Sequence, residues 1–482
     1  MRLKKIVSLM SCVILTTTMM FGCGGAKQTS SSSTAVSEKP TELVWYTIGA
    51  EPSDLNQVLE KANEYLKEKI NVTLDMRFID FGDYNQKMSV VINSGEPYDL
   101  AFTCSWAGDY LGNARKGAFL DLTKYLDTTG KDMYEAIDKR FWDGATIDGK
   151  IYAVPTQKEI SNVQMWRFTK EYVDKYNIPY KDLHTLQDLE PWLKLIKENE
   201  PDVTPLYISN GVRPPQMFDE IVEPVGVEFN DETLTVKNLY ETKYLREQLD
   251  TLRKYYKLGY INADAATQTE EATRKYFVSK ADGQPYAENI WSEQAGRQIV
   301  TSNITNAYIT NGSTTGSMIA VSANSKNKEK SVEFLNLLNT DPYLKNLIVN
   351  GIEGVHYNKV SDNQIEYTDN HKNYDVSAFA FGNLFINYIL KDEPTTKWEE
   401  FKKFNDESIP STALGFRFDP TNVTNEIAAI TNVLGEFKPS LFSGSVDVDE
   451  YLGRMNAKLK EQGIDKVIEE MQKQIDQWKA SK

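Results

Sequence analysis

An α/β fold built in more than one domain is what this sequence predicts, and three observations carry the prediction. β-rich and helical patterns alternate from Leu43 to Phe102. The pattern restarts after Pro155. The chain, at 482 residues, is longer than one hydrophobic core accommodates. Its 40% hydrophobic and 26% charged content are those of an ordinary globular protein. A mean hydropathy of −0.48 and the lack of a second long apolar run exclude a polytopic membrane protein. The formal charge of −15 disfavours nucleic acid, whose affinity comes mainly from neutralised phosphates.

The first stretch has its own logic. Arg2, Lys4 and Lys5 precede an uncharged run from Ile6 to Met20, closed by Phe21-Gly22-Cys23. A basic start, a short apolar run and a small residue at the cut mark a secretory signal peptide over residues 1–22. The cysteine after the cut resembles that of a bacterial lipoprotein signal, which implies a diacylglyceryl anchor on Cys23. Met20 stands where such signals usually carry leucine. The alternative is an uncleaved membrane anchor, since Ile6 to Cys23 is nearly long enough to span; Thr16, Thr17 and Thr18 weaken it. Residues 23–40 are Gly, Ser and Thr rich and read as a flexible tether. Once Cys12 leaves with the leader and Cys23 is lipidated, Cys104 stands alone, so no intrachain disulfide forms. Its apolar run, Leu100 to Cys104, predicts a buried, inert thiol.

Leu43 to Thr47 is a β-rich run ended by Gly49. Leu55, Val58, Leu59, Ala62, Tyr65 and Leu66 follow helical spacing after Pro52. Val72 to Phe78 alternates like a strand, Tyr84 to Ser94 is a second helix ended by Gly95, and Tyr98 to Phe102 is a buried strand. This order implies a parallel sheet with right-handed crossovers. Ligands collect outside the carboxyl ends of such strands, here the loops 47–54 and 103–110. Beyond Pro155, Asn162 to Phe168 is a strand and Thr169 caps a helix to Tyr176. Thr185 to Glu198 is helical, with a capping-box variant in Thr185 and Asp188. Leu206 to Ile208 is strand-like, Glu228 to Val236 reads as a hairpin turning at Asn230-Asp231, and Tyr240 to Lys257 is a long helix. Strands at Thr305 to Thr310 and Ser317 to Ser322 flank a turn, and Lys328 to Leu338 is helical.

No nucleophile elbow, Walker A loop, HExxH, paired CxxC or dinucleotide fingerprint occurs. Asp447-Val448-Asp449-Glu450 lacks the glycine and closing glutamate of a calcium loop and reads as an acidic helix start. Three histidines, none at metal spacing, make His356 a structural residue bonding its own turn. No cofactor is expected. Nothing singles out a hydrolytic carboxylate pair among 69 acidic residues.

Two motifs carry a family resemblance. Gly117 to Leu126 (GAFLDLTKYL) and Asp148 to Pro155 (DGKIYAVP) resemble stretches of family 1 extracellular solute-binding proteins of ABC importers. Further on, Phe334 to Leu338 (FLNLL), Asn350 to Tyr357 (NGIEGVHY) and Leu414 to Asp419 (LGFRFD) are similar to the signature of LipO-like lipoproteins, with their characteristic C-terminal domain. The resemblance implies a two-lobed periplasmic-binding-protein-like (type II) α/β fold with a hinge, an interlobe cleft and a helix-rich C-terminal part. It implies discontinuous lobes: 41–156 and 315–355 for the first, 157–314 and 356–482 for the second. The implied function is a lipid-anchored, monomeric, non-enzymatic binding protein outside the membrane. It would capture a solute, foremost an oligosaccharide, and deliver it to an ABC permease. Alternatives are an anchored polysaccharide-acting enzyme and a ligand-presenting sensor subunit.

Aromatic rings beside polar loops point to sugar, because a ring packs against the apolar face of a pyranose while polar groups bond its hydroxyls. The candidates are Trp106 and Asp109 in the loop after the third strand, Tyr46 and Glu51 at the first loop, Gln157 beyond Pro155, and Trp166 and Trp291. Trp192, Trp398 and Trp478 lie on amphipathic helices and read as core.

Overall fold

In a computed structural model, residues 39–210, 212–268 and 274–481 are described. The leader, Cys23 and the tether up to residue 38 lie outside them. The first sheet grows from the alternating segment. Strands Thr41–Ile48, Val72–Ile79 and Leu100–Thr103 run parallel, linked by helices Leu55–Ile70 and Tyr84–Ser94. Helix Leu55–Ile70 buries Leu55, Val58, Ala62 and Leu66 against them, the 3.6-residue stripe its sequence shows. Asn71 and Gly95 close the two helices in the left-handed region. Two later strands complete the sheet, with Met318–Val321 antiparallel to both of its neighbours. Met318–Val321 inserts beside Leu100–Thr103, and Ala153–Pro155 pairs with its far side.

A second sheet sits beyond the crossing. Its order is Ile299–Asn303, Val163–Thr169, Tyr276–Gly283, Thr204–Tyr207. Helices Lys170–Tyr176, Glu190–Asn199 and Lys243–Lys257 cover it, around a core including Trp166, Phe168, Leu193 and Phe277. Thr169 does not cap its helix; its hydroxyl donates to the Tyr276 carbonyl (2.6 Å). A third core joins the short strands Phe218–Val222, Val225–Glu228 and Lys237–Asn238 to the last three helices, Thr424–Phe442, Val448–Glu461 and Ile464–Ala480. Asp447 caps the middle one by accepting from the Glu450 amide.

The structure departs from the expected boundaries in two places. The expected hairpin over Glu228 to Val236 forms with wider bounds, Val225–Glu228 pairing antiparallel with Lys237–Asn238 across a loop. Asp231 accepts from the Thr233 and Thr235 amides and holds the chain in an Asx-type turn. Residues 374–381 do not join the second lobe. Tyr374, Ala380 and Phe381 enter the first core, where Trp45 meets Phe334 and Phe381 edge-on. The fully buried Lys345, on helix Pro342–Asn350, holds them there by donating to the Phe381 and Gly382 carbonyls (2.6 and 3.3 Å). Burial without a carboxylate partner pushes its ammonium well below the usual lysine range.

Asp219 is buried on strand Phe218–Val222 and accepts from the Ser411 hydroxyl. Burial raises its carboxyl to about 6, against about 3.9 in an unfolded chain. The folded state therefore holds a proton that the unfolded state has lost, and stability falls as pH rises from about 4 to about 6. The expected loss is at most about 3 kcal/mol. Urea unfolding midpoints measured at pH 4 and pH 7 check it: Asp219→Asn should narrow the difference and raise the midpoint at pH 7.

Candidate functional site

Three segments pass between the two sheets. Residues 156–162 leave strand Ala153–Pro155, residues 304–317 return to Met318–Val321, and the chain around 405–411 lies alongside. They are laced together: Asn162 bridges Tyr308, strand Tyr308–Ile309 pairs with Ile409–Pro410, and the Ser161 and Ser408 hydroxyls meet at 3.0 Å. Over them opens a cavity of about 780 Å³ lined from both sides.

The first wall comes from the loop after strand Leu100–Thr103. The Ser105 amide donates to Thr315 O (2.8 Å), its hydroxyl to Gly312 O (3.0 Å), and the Trp106 indole to Gly316 O (2.8 Å). The indole is thus pinned by its edge while its faces stay half exposed, at 50%. Phe81 lies nearly parallel to it at 6.2 Å, with Phe379 at 6.3 Å. The opposite wall carries Phe229 stacked on Tyr308, centroids 4.0 Å apart. The third side is built by residues 349–401. Trp398 packs on Phe385 and Phe401, and its indole donates to Asn387 O (2.8 Å). The cleft is therefore ringed by aromatic faces with their polar edges already satisfied.

Two ion pairs sit among these rings. Lys158 Nζ meets Glu159 Oε1 at 2.5 Å, and Lys397 Nζ meets both Glu393 oxygens at 2.7 Å. All four side chains are under one-fifth exposed. Asn162, Gln284, Asn306 and Asn387 add amides, and Asn387 Oδ1 has no partner among the described residues. Such a lining suits a neutral, polyhydroxylated ligand: ring faces for its CH surfaces, charged and amide groups for its hydroxyls. Among the described residues no group of three or more His, Cys, Asp or Glu could hold a metal ion.

The structure brings Trp106 to this cavity and puts the other sequence candidates elsewhere. Tyr46 is buried on the sheet's flank, where its hydroxyl donates to Glu96 (2.6 Å) and accepts from Arg77 (2.8 Å). Glu51 is exposed on the loop ahead of the first helix, outside the lining. Asp109 caps helix Tyr110–Arg115 by accepting from the Gly112 amide. Gln157 is buried at the crossing, where Oε1 accepts from the Asp138 amide (2.8 Å) and its carbonyl from Leu384 N. Trp166, 1% exposed, is second-lobe core, because its strand is covered on both faces. Trp291 is half-buried over the Arg167 guanidinium, behind Gly283. Conversely, Trp398, expected in a core, faces the cleft.

Cys104 is buried and its thiol is pushed up to about 11 by desolvation. His356 Nδ1 accepts from Ile352 N (2.9 Å), bonding its own turn, and Nε2 lies 3.2 Å from Asp54.

Comparison with known proteins adds the following. Residues 49–345 match the profile of a bacterial extracellular solute-binding protein, and residues 412–480 a domain of unknown function. A carbohydrate ABC transporter substrate-binding protein of Streptococcus pneumoniae is 38% identical over 475 residues, 95% of each chain. Lipoprotein LipO of Bacillus subtilis is 24% identical over 52% of this chain and 49% of its own length. Among solved structures, the N-glycan transport solute binding protein NgtS of Streptococcus pneumoniae, 38% identical, matches with a TM-score of 0.85 over 91% of this chain and 98% of that one. The same protein in complex with Man5GlcNAc, also 38% identical, matches at 0.72 over 92% and 99%.

The turn that pins Trp106 leans on Gly144, where an added Cβ would come within 1.9 Å of Thr314 Oγ1. Gly144→Ala should therefore cost about 1–3 kcal/mol and displace residues 311–316. A lowered thermal midpoint together with a red-shifted tryptophan emission would register both effects.

Proposed function

The chain belongs to the bacterial extracellular solute-binding protein family, and on that premise we propose that it captures an N-glycan-type oligosaccharide between its two lobes and delivers it to an ABC permease. The observation that carries this reading is the half-exposed, edge-pinned Trp106 facing a cleft ringed by further aromatic faces and two shielded ion pairs. Charged sugars or peptides would meet cations and anions already paired with one another. A neutral sugar needs no such exchange and gains charge-assisted hydrogen bonds from both pairs. Complexes of the 38% identical relative with Man1GlcNAc and Man5GlcNAc support the same ligand class.

Capture requires no catalysis. A ligand that touches both walls binds the closed arrangement better, and only that differential affinity shifts the population. The relative's structures fit this chain unequally, at 0.85 for the one described without a glycan and 0.75 and 0.72 for the two glycan complexes. That inequality is what lobe movement about the crossing segments would produce. The protein works as a monomer on the outer face of the membrane, held by a lipid on Cys23 after removal of residues 1–22. The basic start, apolar run and Gly22-Cys23 support this tethering.

Three experiments test the proposal. Calorimetric titration with Man5GlcNAc should give a single site, and Trp106→Ala should weaken it at least tenfold, about 1.4 kcal/mol or more. The glycan should be recovered intact after prolonged incubation; hydrolysis, or no binding by the native protein, would overturn the reading. For the anchor, Cys23→Ala expressed in a Gram-positive host should move the protein from the membrane fraction to the medium.

A further inference from the structure

Residues 346–411 fall between the two matched profiles, which end at 345 and resume at 412. This stretch nevertheless builds one side of the cleft and, at the crossing, supplies Asn405. That residue lies near the end of helix Lys397–Glu407 and is 1% exposed. Its side-chain amide donates from Nδ2 to Lys158 O (2.8 Å), and its Oδ1 accepts from Ile160 N (2.9 Å). The two backbone groups it grips are those on either side of Glu159. Asn405 is itself fixed: its carbonyl accepts from Arg140 Nη1 (2.5 Å), and Arg140 Nε is held by Asp138 (2.9 Å).

A chain gripped at its carbonyl and its amide one residue either side cannot rotate the peptides between. The Cα–Cβ direction of Glu159 is therefore set, and with it the approach of its carboxylate to Lys158 and the cleft. Only an amide can do this from one side chain, because the job needs one donor and one acceptor side by side. An aspartate offers acceptors alone and would face the Lys158 carbonyl with its own oxygen. Glu159 is a cleft-lining carboxylate, 16% exposed, so its bonds to a ligand's hydroxyls are made in a partly dried site and are sensitive to small displacements.

We propose that Asn405 is a positioning residue for ligand binding, acting through Glu159, whose carboxylate hydrogen-bonds adjacent hydroxyls of the bound sugar. The inference rests on the oligosaccharide reading above. It makes this stretch a determinant of affinity in its own right, not a connector between the two matched parts.

The test is a double-mutant cycle by calorimetric titration with Man5GlcNAc. Asn405→Ala and Glu159→Gln should each weaken binding at least tenfold, and the double variant should bind within about twofold of Glu159→Gln alone. A role confined to stability would lower the thermal midpoint and leave folded Asn405→Ala with native affinity, whereas multiplying losses would mark a contribution independent of Glu159. Losses that multiply, or native affinity in Asn405→Ala, would overturn the proposal. If Asn405→Ala does not fold, the isosteric Asn405→Asp takes its place in the same cycle with the same criteria. Binding by the native protein with multiplying losses sinks this inference alone. No binding by the native protein sinks the oligosaccharide reading and this inference with it.

Discussion

Where three stretches of chain cross between two sheets, the backbone amides and carbonyls of their buried residues must find partners there. That requirement organises the rest of the molecule. It is met by pairing the segments with each other, as at Asn162 with Tyr308 and along Tyr308–Ile309 with Ile409–Pro410. It is met also by a side chain that imitates backbone, that of Asn405. Asn162 and Tyr308, and Lys158 and Glu159 under Asn405, are fixed this way and also line the cavity above, so scaffold and site share hydrogen bonds.

The same economy runs along the first wall. Loop 104–109 is seated on the turn after strand Tyr308–Ile309 by bonds from Ser105 and Trp106. Further round, Asn339, Lys345 and Asn346 tie down residues 381–388 by their carbonyls and amides. Leu384, Asn387 and Tyr388 are presented to the cleft from that strapped segment, and Phe379 from just ahead of it. A buried lysine is an expensive way to hold a loop unless its donors are used. Here they satisfy carbonyls that helix and sheet leave unpaired.

Much of the architecture was legible in the residues. The alternation from Leu43 to Phe102 specifies a parallel sheet because strand and helix periods differ and each segment shows one cleanly. Cys104, His356 and the Asp447 cap follow from local chemistry in the same way. The site was far less legible. Trp166 lies just after the crossing segment and Tyr46 just before the first loop, but strand alternation decides orientation, and both turn inward or to the flank. Trp398 obeys helical spacing, and spacing cannot say whether an apolar face meets another helix or a cavity. Residues 356–396 carry short strands and 3₁₀ turns with no sustained period, so their fold leaves no local signal, and neither does Asn405's grip on a segment 245 positions away in sequence.

The order of strands in the first sheet has a consequence for how the chain is made. Met318–Val321 lies between Leu100–Thr103 and Ala153–Pro155, so the gap between those two cannot be filled until the second lobe's sheet has been synthesised. A nascent polypeptide threading outward would hold an incomplete, edge-exposed layer throughout that interval, its Leu100 and Phe102 without their final neighbours. Val163–Thr169 through Ile299–Asn303, by contrast, form an uninterrupted run that can finish first. The half that appears earliest is thus the half that is sealed last, and any helper protein that guards the emerging chain would be needed there.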